Sequence, residues 1–410
     1  MLQTTRKRVF KGNYMYKFYQ IMEKHPTGQC AAFCVLIVFL TLCLLSSFLN
    51  TDTSFHKPPV MKNSAVNKVV MKHQKDLIFH RTPVFQSAVD INTTWNVLVW
   101  TEYFNFGRWL PDGANAFTGC KFANCRITHD KNHANESDAV LMNLRNLNSV
   151  TDLPKHHPQH QKWIAYTRES PVHAFLNYTP FNSHFNATMT YKSDSDIVFP
   201  YGFVQPLEMA KSYVIPKTKT KLIAWFVSRC STESKREHYV SLLQKFVAVD
   251  VYGSCGPLKC PLSQSSACLD MLESDYKFYI SFENSLCAEY ITEKVWKVLQ
   301  RGVVPIVLGS TAHETLLPPN SYIDVRNFAS PKTLAEYLLK LDRNDDLYNK
   351  YFEWKTHFAV KAQTSNVLGC QLCEYMNTHG KQTSIVKRLD LFWSPRLHCA
   401  RPDQYFKSIV

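Results

Sequence analysis

A run of twenty uncharged residues near the N-terminus constrains this chain more than any other feature. Residues 30–49 read CAAFCVLIVFLTLCLLSSFL, and at 1.5 Å per residue such a helix matches the roughly 30 Å core of a bilayer. A secretory signal has a shorter apolar core, of about 7–15 residues, and a buried helix is usually amphipathic. We therefore expect an uncleaved transmembrane anchor.

The charges around this segment predict its orientation. Residues 1–29 hold six lysines and arginines, whereas residues 50–69 hold three, and such an excess places the N-terminus in the cytosol. Everything after residue 49 then lies in the lumen of the secretory pathway. Four sequons for N-glycosylation agree with that location: Asn92, Asn135, Asn177 and Asn186.

The basic composition suggests a nucleic-acid partner, which the rest of the sequence disfavours. The 410 residues carry a formal charge of +14, of which +5 belongs to the predicted cytosolic tail. The remainder is scattered, and there is no RNP-like, zinc-finger or arginine-rich run. We expect no nucleic-acid partner and take anionic small molecules or glycans as the targets.

The cysteines are expected to form disulfides. Of thirteen cysteines, three lie in the anchor and ten follow it, and an oxidising lumen makes disulfides the default. Cys370 and Cys373 are interpreted as a structural tether rather than a redox or zinc pair, and Cys120 and Cys125 are plausible partners. The pairing of the three cysteines in residues 255–268 stays open.

Beyond a stem without sustained periodicity, residues 50–91, the chain alternates strand-like and helix-like pieces. Such alternation is typical of α/β layers. Two halves meet near residues 204–220, which contain two prolines and, after Ala210, few apolar residues. The predicted strands are 96–100, 138–142, 162–166, 197–199, 221–227, 249–252, 277–282 and 303–308, and the predicted helices are 239–247 and 289–300.

The most informative stretch is residues 278–310. A strand ends in Phe282-Glu-Asn-Ser285, and Tyr290-Ile-Thr-Glu-Lys294 opens a helix after a short loop. Ligands of open α/β sheets lie at the carboxyl ends of strands, where a helix N-terminus and Lys294 would attract phosphate. Glu293 would accept from sugar or ribose hydroxyls. Taken alone, Thr-Glu-Lys also fits a simple helix cap.

The whole stretch resembles the α1,3/4-fucosyltransferases. Their hallmark includes FENS, a Tyr-x-Thr-Glu-Lys segment and a later Gly-x-Val-Pro-x-Val-x-Gly, which stands here at residues 302–309. Glu289, directly before Tyr290, stands where the family usually has Asp. The likeness continues over about residues 95–375, through segments at 169–171, 194–202, 222–228 and 249–253.

The resemblance implies a Golgi type II glycosyltransferase that uses GDP-fucose and inverts the anomeric centre. The implied fold is α/β, with two Rossmann-like domains of the GT-B type behind a transmembrane helix and stem. A homo-oligomer is a further expectation. The expected order is a cytosolic tail (1–29), the anchor (30–49), the stem (50–91), an N-terminal acceptor-side domain (92–215), a C-terminal GDP-fucose-binding domain (216–375) and a C-terminal extension (376–410).

The same resemblance places the donor site. Arg236, near the start of a predicted helix, suits a diphosphate because its planar guanidinium binds two oxygens at once. Arg229 stands where the family usually has Asn, a departure beside one donor contact. The family's donor contacts fall on Ser228, Arg236, Tyr279, Asn284, Tyr290, Glu293 and Lys294.

Inverting transfer needs a base that accepts the proton of the acceptor hydroxyl, which is worth about 10²–10⁴ in rate. The resemblance places this base at Glu169, and its position just after a predicted strand supports the assignment. Without the resemblance, a structural role for Glu169 would be favoured, in which it pairs with Arg168 or caps the following turn. Ser170 is not assigned as a nucleophile, since no His-Asp partner is identifiable.

We expect no cofactor and no metal site. Asp194-Ser-Asp196 has the D-x-D pattern with which some sugar transferases hold a divalent ion. In the family that this chain resembles, the corresponding segment has a structural role and leads into a strand. Arg236 and Lys294 would offset the diphosphate charge without a metal. The histidines at 156, 157 and 160 lack the spaced Cys/His set of a zinc site.

The expected acceptor is O3 of N-acetylglucosamine in a glycoprotein glycan. Cys287 stands where Lewis-type enzymes often have His, which favours the core Asn-linked sugar used by invertebrate and plant relatives. Lewis-type fucosylation of lactosamine and protein O-fucosylation stay open. So does a catalytically silent Golgi protein that binds glycan or nucleotide, although the intact Glu169, Arg236, Glu293 and Lys294 disfavour it.

Overall fold

The computed structural model describes residues 79–81, 93–102, 107–173, 177–213, 219–260, 265–309, 313–363 and 365–406. The predicted tail and anchor, most of the stem, and Asn92 lie outside these ranges. Among the described residues, no helix is both long and apolar enough to span a bilayer. The anchor at residues 30–49 therefore stays a prediction.

A six-stranded parallel sheet forms the N-terminal half. Every residue of the strands Ala139–Asn143, Lys162–Tyr166 and Ala187–Thr190 is buried, as expected for a parallel sheet covered on both faces. Short 3-10 helices, such as Leu144–Asn146 and Pro171–His173, occur in the connections. The strands are β2 (Trp95–Val99), β3 (Cys125–Thr128), β4 (Ala139–Asn143), β5 (Lys162–Tyr166), β6 (Ala187–Thr190) and β7 (Ile197–Val198), in the order β3-β2-β4-β5-β6-β7.

A five-stranded parallel sheet forms the C-terminal half. Its strands are β9 (Lys221–Phe226), β10 (Asp250–Tyr252), β11 (Tyr276–Phe282), β12 (Val304–Leu308) and β13 (Ile323–Asp324), in the order β10-β9-β11-β12-β13. The helices of this half are α1 (Arg236–Leu243), α2 (Ser265–Asp275), α3 (Glu293–Leu299), α4 (His313–Leu316), α5 (Pro331–Asp342) and α6 (Asp345–Asn349).

Both sheets place their first strand between their second and third. This is the strand order of a doubly wound α/β fold, in which ligands bind beyond the carboxyl ends of the strands, where the order reverses. The predicted α/β class with parallel sheets is confirmed. In this fold the order reverses between β9 and β11 in one half and between β2 and β4 in the other, so ligands are expected at the carboxyl ends of these strands.

The chain crosses between the halves twice, and the two crossings pair with each other. Strand β8 (Gly202–Pro206) leaves the N-terminal half and pairs antiparallel with β14 (Phe358–Ala362), which leads back. Helix α7 (Ser365–His379) then packs on the N-terminal sheet, with Leu372 and Met376 in its core. The predicted domain boundary at residue 375 is therefore wrong, because this helix belongs by packing to the N-terminal half.

Residues assigned to the stem and to the C-terminal extension also pair. Strand β1 (Phe79–Arg81), within the predicted stem, runs antiparallel to β15 (Ser384–Val386). The stem prediction is thus wrong at residues 79–81, because β-pairing with a distant partner cannot be read from local periodicity. The chain continues through α8 (Leu389–Phe392), α9 (Pro395–His398) and α10 (Pro402–Phe406).

Five disulfides pair the ten cysteines that follow the predicted anchor. The tether expected at Cys370 and Cys373 is confirmed, since these residues bond to Cys120 and Cys125 and fasten α7 to the N-terminal half. The remaining bridges are Cys230–Cys255, Cys260–Cys268 and Cys287–Cys399.

Candidate active site

A cavity of about 690 Å³ opens at the carboxyl ends of β9 and β10. Ser228 and Gly253 lie on its strand side, and α3 faces it with Glu293 and Lys294. Gly253 has φ +103°, and a Cβ there would lie 2.5 Å from the carbonyl oxygen of Val227. Only glycine lets the two strand ends approach this closely. Four predicted donor residues line this cavity: Ser228, Tyr279, Glu293 and Lys294.

The cavity is rich in cations. Lys259 and Lys297 line it together with Lys294. Although burial alone would lower the pKa of Lys294, the carboxylates of Glu283 and Glu293 raise it above its usual value, so the ammonium stays charged. Three clustered ammonium groups suit an anionic ligand such as a diphosphate.

Glu283 holds the helix that carries these groups, and the sequence did not single it out. Its side chain is 1% exposed, and its Oε1 accepts hydrogen bonds from the backbone N–H (2.7 Å) and hydroxyl (2.9 Å) of Thr292. Lys294 Nζ lies 3.1 Å from Glu283 Oε2. The available signal was a lone carboxylate at the end of an apolar strand, which requires partners when it is buried.

Arg236, a further predicted donor contact, is buried. Only 5% of Arg236 is exposed. The described residues that line the cavity do not include Arg236. Its Nη1 donates to the carbonyl of Phe282 (2.7 Å), whereas its buried Nε has no hydrogen-bond partner among the described residues. Burial lowers the pKa of the guanidinium. An unpaired buried N–H on a cation is costly, and an anion reaching this depth would satisfy it.

Asn284 and Tyr290 also lie outside that lining, in the segment between β11 and α3. The carbonyl of Asn284 accepts from the backbone N–H of Ser234 (3.0 Å). Tyr290 is buried between Tyr191 and Tyr201, with ring centroids 5.2 and 6.2 Å away, and burial raises its pKa well above the usual value. Both residues therefore fix the segment in place.

Glu169 lies just after β5, at the carboxyl end of the N-terminal sheet. It is half-buried, and its carboxylate makes no hydrogen bond or ion pair with any described residue. Burial raises its pKa, which the charges of Arg145 and Lys294 oppose and that of Glu293 reinforces. An unpaired carboxylate with a raised pKa is a suitable proton acceptor.

The base and the donor motif come together across the two halves. The Ser285 hydroxyl donates to the hydroxyl of Ser170, at 2.6 Å between two buried residues. Because Ser170 follows Glu169 and Ser285 closes the FENS segment, this bond joins the two predicted sites directly. The electrostatic influence of Lys294 and Glu293 on Glu169 reflects the same proximity.

The D-x-D segment has structural partners. Asp196 Oδ2 accepts from the backbone N–H and hydroxyl of Thr188, both at 2.8 Å, and Asp194 lies 3.3 Å from Lys192 Nζ. His157 of the histidine-rich loop stacks on Trp163. The described residues contain no group of three or more His, Cys, Asp or Glu side chains arranged to hold a metal ion. Metal independence itself stays a prediction.

A second cavity, of about 630 Å³, lies at the carboxyl ends of β2, β3 and β4. Its lining is polar, with Glu102, His129 and Lys131 beside the indole of Trp100. Trp100 Nε1 donates to the carbonyl of Asp152 (2.7 Å), and Lys131 Nζ lies 4.4 Å from the ring. The sequence did not single out these residues, which belong to the half predicted to bind the acceptor.

The sequons differ in their surroundings. Asn135 and Asn177 are exposed. Asn186 is half-buried, its Nδ2 donates to the carbonyl of Ser384 (2.9 Å), and its Oδ1 accepts from the backbone N–H of Trp163 (2.7 Å). A glycan on Asn186 would compete with both hydrogen bonds.

Cys287 is fully buried and bonded to Cys399. Its sulfur therefore cannot contact an acceptor sugar. The presence of cysteine here has a structural explanation, which weakens the inference from Cys287 to a core acceptor.

Comparison with known proteins identifies the family. Residues 92–202 match the model described as "Fucosyltransferase, N-terminal", and residues 216–392 match "Glycosyltransferase family 10 (fucosyltransferase) C-term".

Curated relatives agree with these models. Alpha-(1,3)-fucosyltransferase C of Drosophila melanogaster is 32% identical, over 86% of this chain and 88% of its own. The 3-galactosyl-N-acetylglucosaminide 4-alpha-L-fucosyltransferase FUT3 of Bos taurus is 37% identical, over 68% and 76%. A solved α1,3-fucosyltransferase with GDP-fucose aligns at a TM-score of 0.45 and 15% identity, over 67% and 86%, a fit too loose to add weight. The family models and the relatives together show that the chain belongs to glycosyltransferase family 10, the fucosyltransferases.

Proposed function

We propose that this enzyme transfers fucose from GDP-fucose to O3 of N-acetylglucosamine in glycoprotein glycans, with inversion at the anomeric carbon. The observation that carries the proposal is the unpaired carboxylate of Glu169, on a loop that the hydrogen bond between Ser170 and Ser285 joins to the FENS segment of the donor half. A base on one half and a cationic crevice on the other are the two parts that a single-step transfer requires.

In this mechanism Glu169 takes the proton from the acceptor hydroxyl as its oxygen bonds to C1 of fucose. The bond from C1 to the diphosphate breaks at the same time, and GDP leaves with the bonding electrons. Lys259, Lys294 and Lys297 line the cavity that would hold the leaving diphosphate. Of these, Lys294 is held by Glu283 and Glu293, and a fixed cation stabilises such developing charge because it needs no rearrangement during the reaction.

We propose that the donor is held mainly through Lys294. Lys294→Ala is expected to weaken GDP binding by at least about tenfold, since it removes a charge-assisted contact to phosphate. Lys332→Ala is the matched control, because Lys332 is 63% exposed on α5. Calorimetric titration with GDP measures both, and equal affinities would contradict the assignment.

The core Asn-linked N-acetylglucosamine is the acceptor we propose first, and lactosamine is the second candidate. One relative is named "Glycoprotein 3-alpha-L-fucosyltransferase A" (Drosophila melanogaster), and another is named "4-galactosyl-N-acetylglucosaminide 3-alpha-L-fucosyltransferase FUT6" (Homo sapiens), after a lactosamine acceptor. The polar cavity around Trp100 supports a sugar ligand on the N-terminal half, since aromatic faces and convergent polar groups suit such rings.

One assay decides between these acceptors. The purified protein is incubated with GDP-fucose and a glycopeptide that bears both a core and outer lactosamine, and the linkage of the product is determined. Fucose on the core supports the first proposal, and fucose on lactosamine supports the second. Fucose on the peptide hydroxyls would indicate protein O-fucosylation, and no transfer to any acceptor would indicate a silent binding protein.

We further propose a Golgi membrane location with the catalytic part in the lumen, and turnover without a divalent metal. The uncharged run at residues 30–49 and the basic residues before it support the location. Protease protection of the lumenal part in intact Golgi vesicles tests it. Reversible loss of turnover in EDTA would contradict metal independence. Gel filtration of the purified protein tests the expected homo-oligomer.

A further inference from the structure

The loop that carries the predicted base is held by the donor half at two places. We call residues 167–173 the base loop. One contact is the bond between Ser170 and Ser285 described above. The other involves His173, at the end of the loop, which lies between Arg229 and Glu233 of the opposite half.

The ring of His173 is fully buried between charged groups of the donor half. Its Nδ1 lies 3.4 Å from Nη1 of Arg229, and its Nε2 lies 3.5 Å from a carboxylate oxygen of Glu233. Since arginine only donates, a hydrogen bond with Arg229 requires Nδ1 to accept. Burial lowers the pKa of the ring, an effect that Glu233 and a hydrogen bond with the backbone of Asn284 oppose and that Arg229 and Arg145 reinforce.

The backbone of His173 holds a second arginine. Its carbonyl accepts from Nη1 of Arg145 at 2.7 Å. One residue thus contacts an arginine of each half, Arg145 after β4 and Arg229 after β9. The charges of Arg145 and, more weakly, Arg229 favour the charged form of Glu169, which burial disfavours.

We propose that His173 is a positioning residue that holds Arg145 and Arg229 beside the carboxylate of Glu169. The inference rests on the proposed role of Glu169 as the base. Arg229 directly follows Ser228, which lines the donor cavity, and its carbonyl accepts from Arg236 Nη2 at 3.4 Å. The contact therefore links the donor side to the ionisation of the base.

Other groups act on Glu169 and must stay in place during the test. Lys294 favours its charged form and Glu293 disfavours it. Burial, together with the charge of Glu169, raises the pKa of three tyrosines: Tyr191, Tyr201 and Tyr290. None of these groups belongs to the contact between His173 and the two arginines, so substitutions at that contact leave them unchanged.

The test is a set of kcat profiles against pH for the wild type, Arg229→Asn, His173→Phe and the double variant. Without the arginine, the carboxylate of Glu169 protonates at a higher pH, so the acid side of the profile should move to higher pH. At pH values on the acid side of the profile, we expect each single variant to lose about tenfold in kcat. At higher pH, each should keep most of its rate. The double variant should lose no more than the larger single loss.

Two controls separate charge from packing. Arg343→Asn removes an exposed arginine at the C-terminal end of α5 and should leave the profile unchanged. Arg229→Lys keeps the charge and should restore most of the acid-side rate, and this comparison suffices if His173→Phe does not fold.

An unshifted profile in Arg229→Asn, or fully additive losses in the double variant, would overturn the role of His173. Absent turnover by the wild type would instead contradict the proposed function, and with it this inference. Normal wild-type turnover with unshifted variants contradicts the role of His173 alone.

Discussion

Replacing Glu283 with glutamine should loosen the helix that faces the donor cavity. The buried carboxylate of Glu283 accepts from the backbone N–H and hydroxyl of Thr292 and pairs with Lys294. Glutamine has nearly the same shape, so packing around the site is preserved. Its uncharged amide keeps one carbonyl acceptor for Thr292, but its NH2 group faces the ammonium without being able to accept from it.

The magnitude follows from these contacts. Breaking a buried ion pair by neutralising one partner costs about 3–5 kcal/mol. Lys294 remains 24% exposed and keeps Glu293 at 3.3 Å, which reduces the loss. We therefore expect the free energy of unfolding to fall by about 2–4 kcal/mol, with weaker GDP binding because Lys294 is no longer held in place.

Urea unfolding of the purified variant measures the first effect, and calorimetric titration with GDP measures the second. Glu336→Gln is the matched control, since Glu336 is 63% exposed on α5 and should change stability by less than about 0.5 kcal/mol. A Glu283→Gln variant as stable as this control, with unchanged GDP affinity, would refute the assignment of Glu283 as the anchor of α3.

Two further predictions concern pH and glycosylation. Burial raises the pKa of Glu169 although Arg145 opposes it, so transfer should fall as the pH drops through that raised value and the base becomes protonated; a wild-type rate that stays flat into the acid range would contradict this. In protein secreted from animal cells, glycopeptide mass spectrometry should find glycans on Asn135 and Asn177 and little on Asn186, and full occupancy of Asn186 would show that its two backbone hydrogen bonds do not protect it.

Strands and the place of the site were largely predictable, because both depend on local sequence. The run at 162–166 corresponds to β5, and the run at 277–282 differs from β11 by one residue. Continuous apolar runs bounded by polar residues are what buried parallel strands require. Since ligands bind at the carboxyl ends of such strands, Glu169 and the FENS segment were predicted at the correct edge of each sheet.

Helix starts were less predictable, because they depend on backbone conformation. The sequence predicted a helix from residue 289, whereas α3 begins at Glu293. Glu289 has φ +59°, which a helix excludes, and its carboxylate accepts from the backbone N–H of Ser193 (2.7 Å) in the other half. A contact with a residue almost a hundred positions away therefore decides where α3 starts.

Long-range pairing could not be predicted. Cys120 bonds to Cys370 across 250 residues, and several other pairings fit the same cysteine count. The return of α7 to the N-terminal half and the pairing of β1 with β15 have the same cause, since neither produces a local pattern. The burial of Arg236 likewise depends on the carbonyls of Phe282 and Arg229, which only the folded chain brings together.

The central claim is that Glu169 is the base of an inverting fucose transfer. Glu169→Gln keeps the shape of the side chain and removes its ability to accept a proton. The decisive measurement is the rate of transfer from GDP-fucose to an N-acetylglucosamine glycopeptide, taken beside GDP affinity for the same protein. We predict a loss of about 10²–10⁴ in kcat with unchanged GDP affinity. Turnover within a few-fold of the wild type would contradict the account.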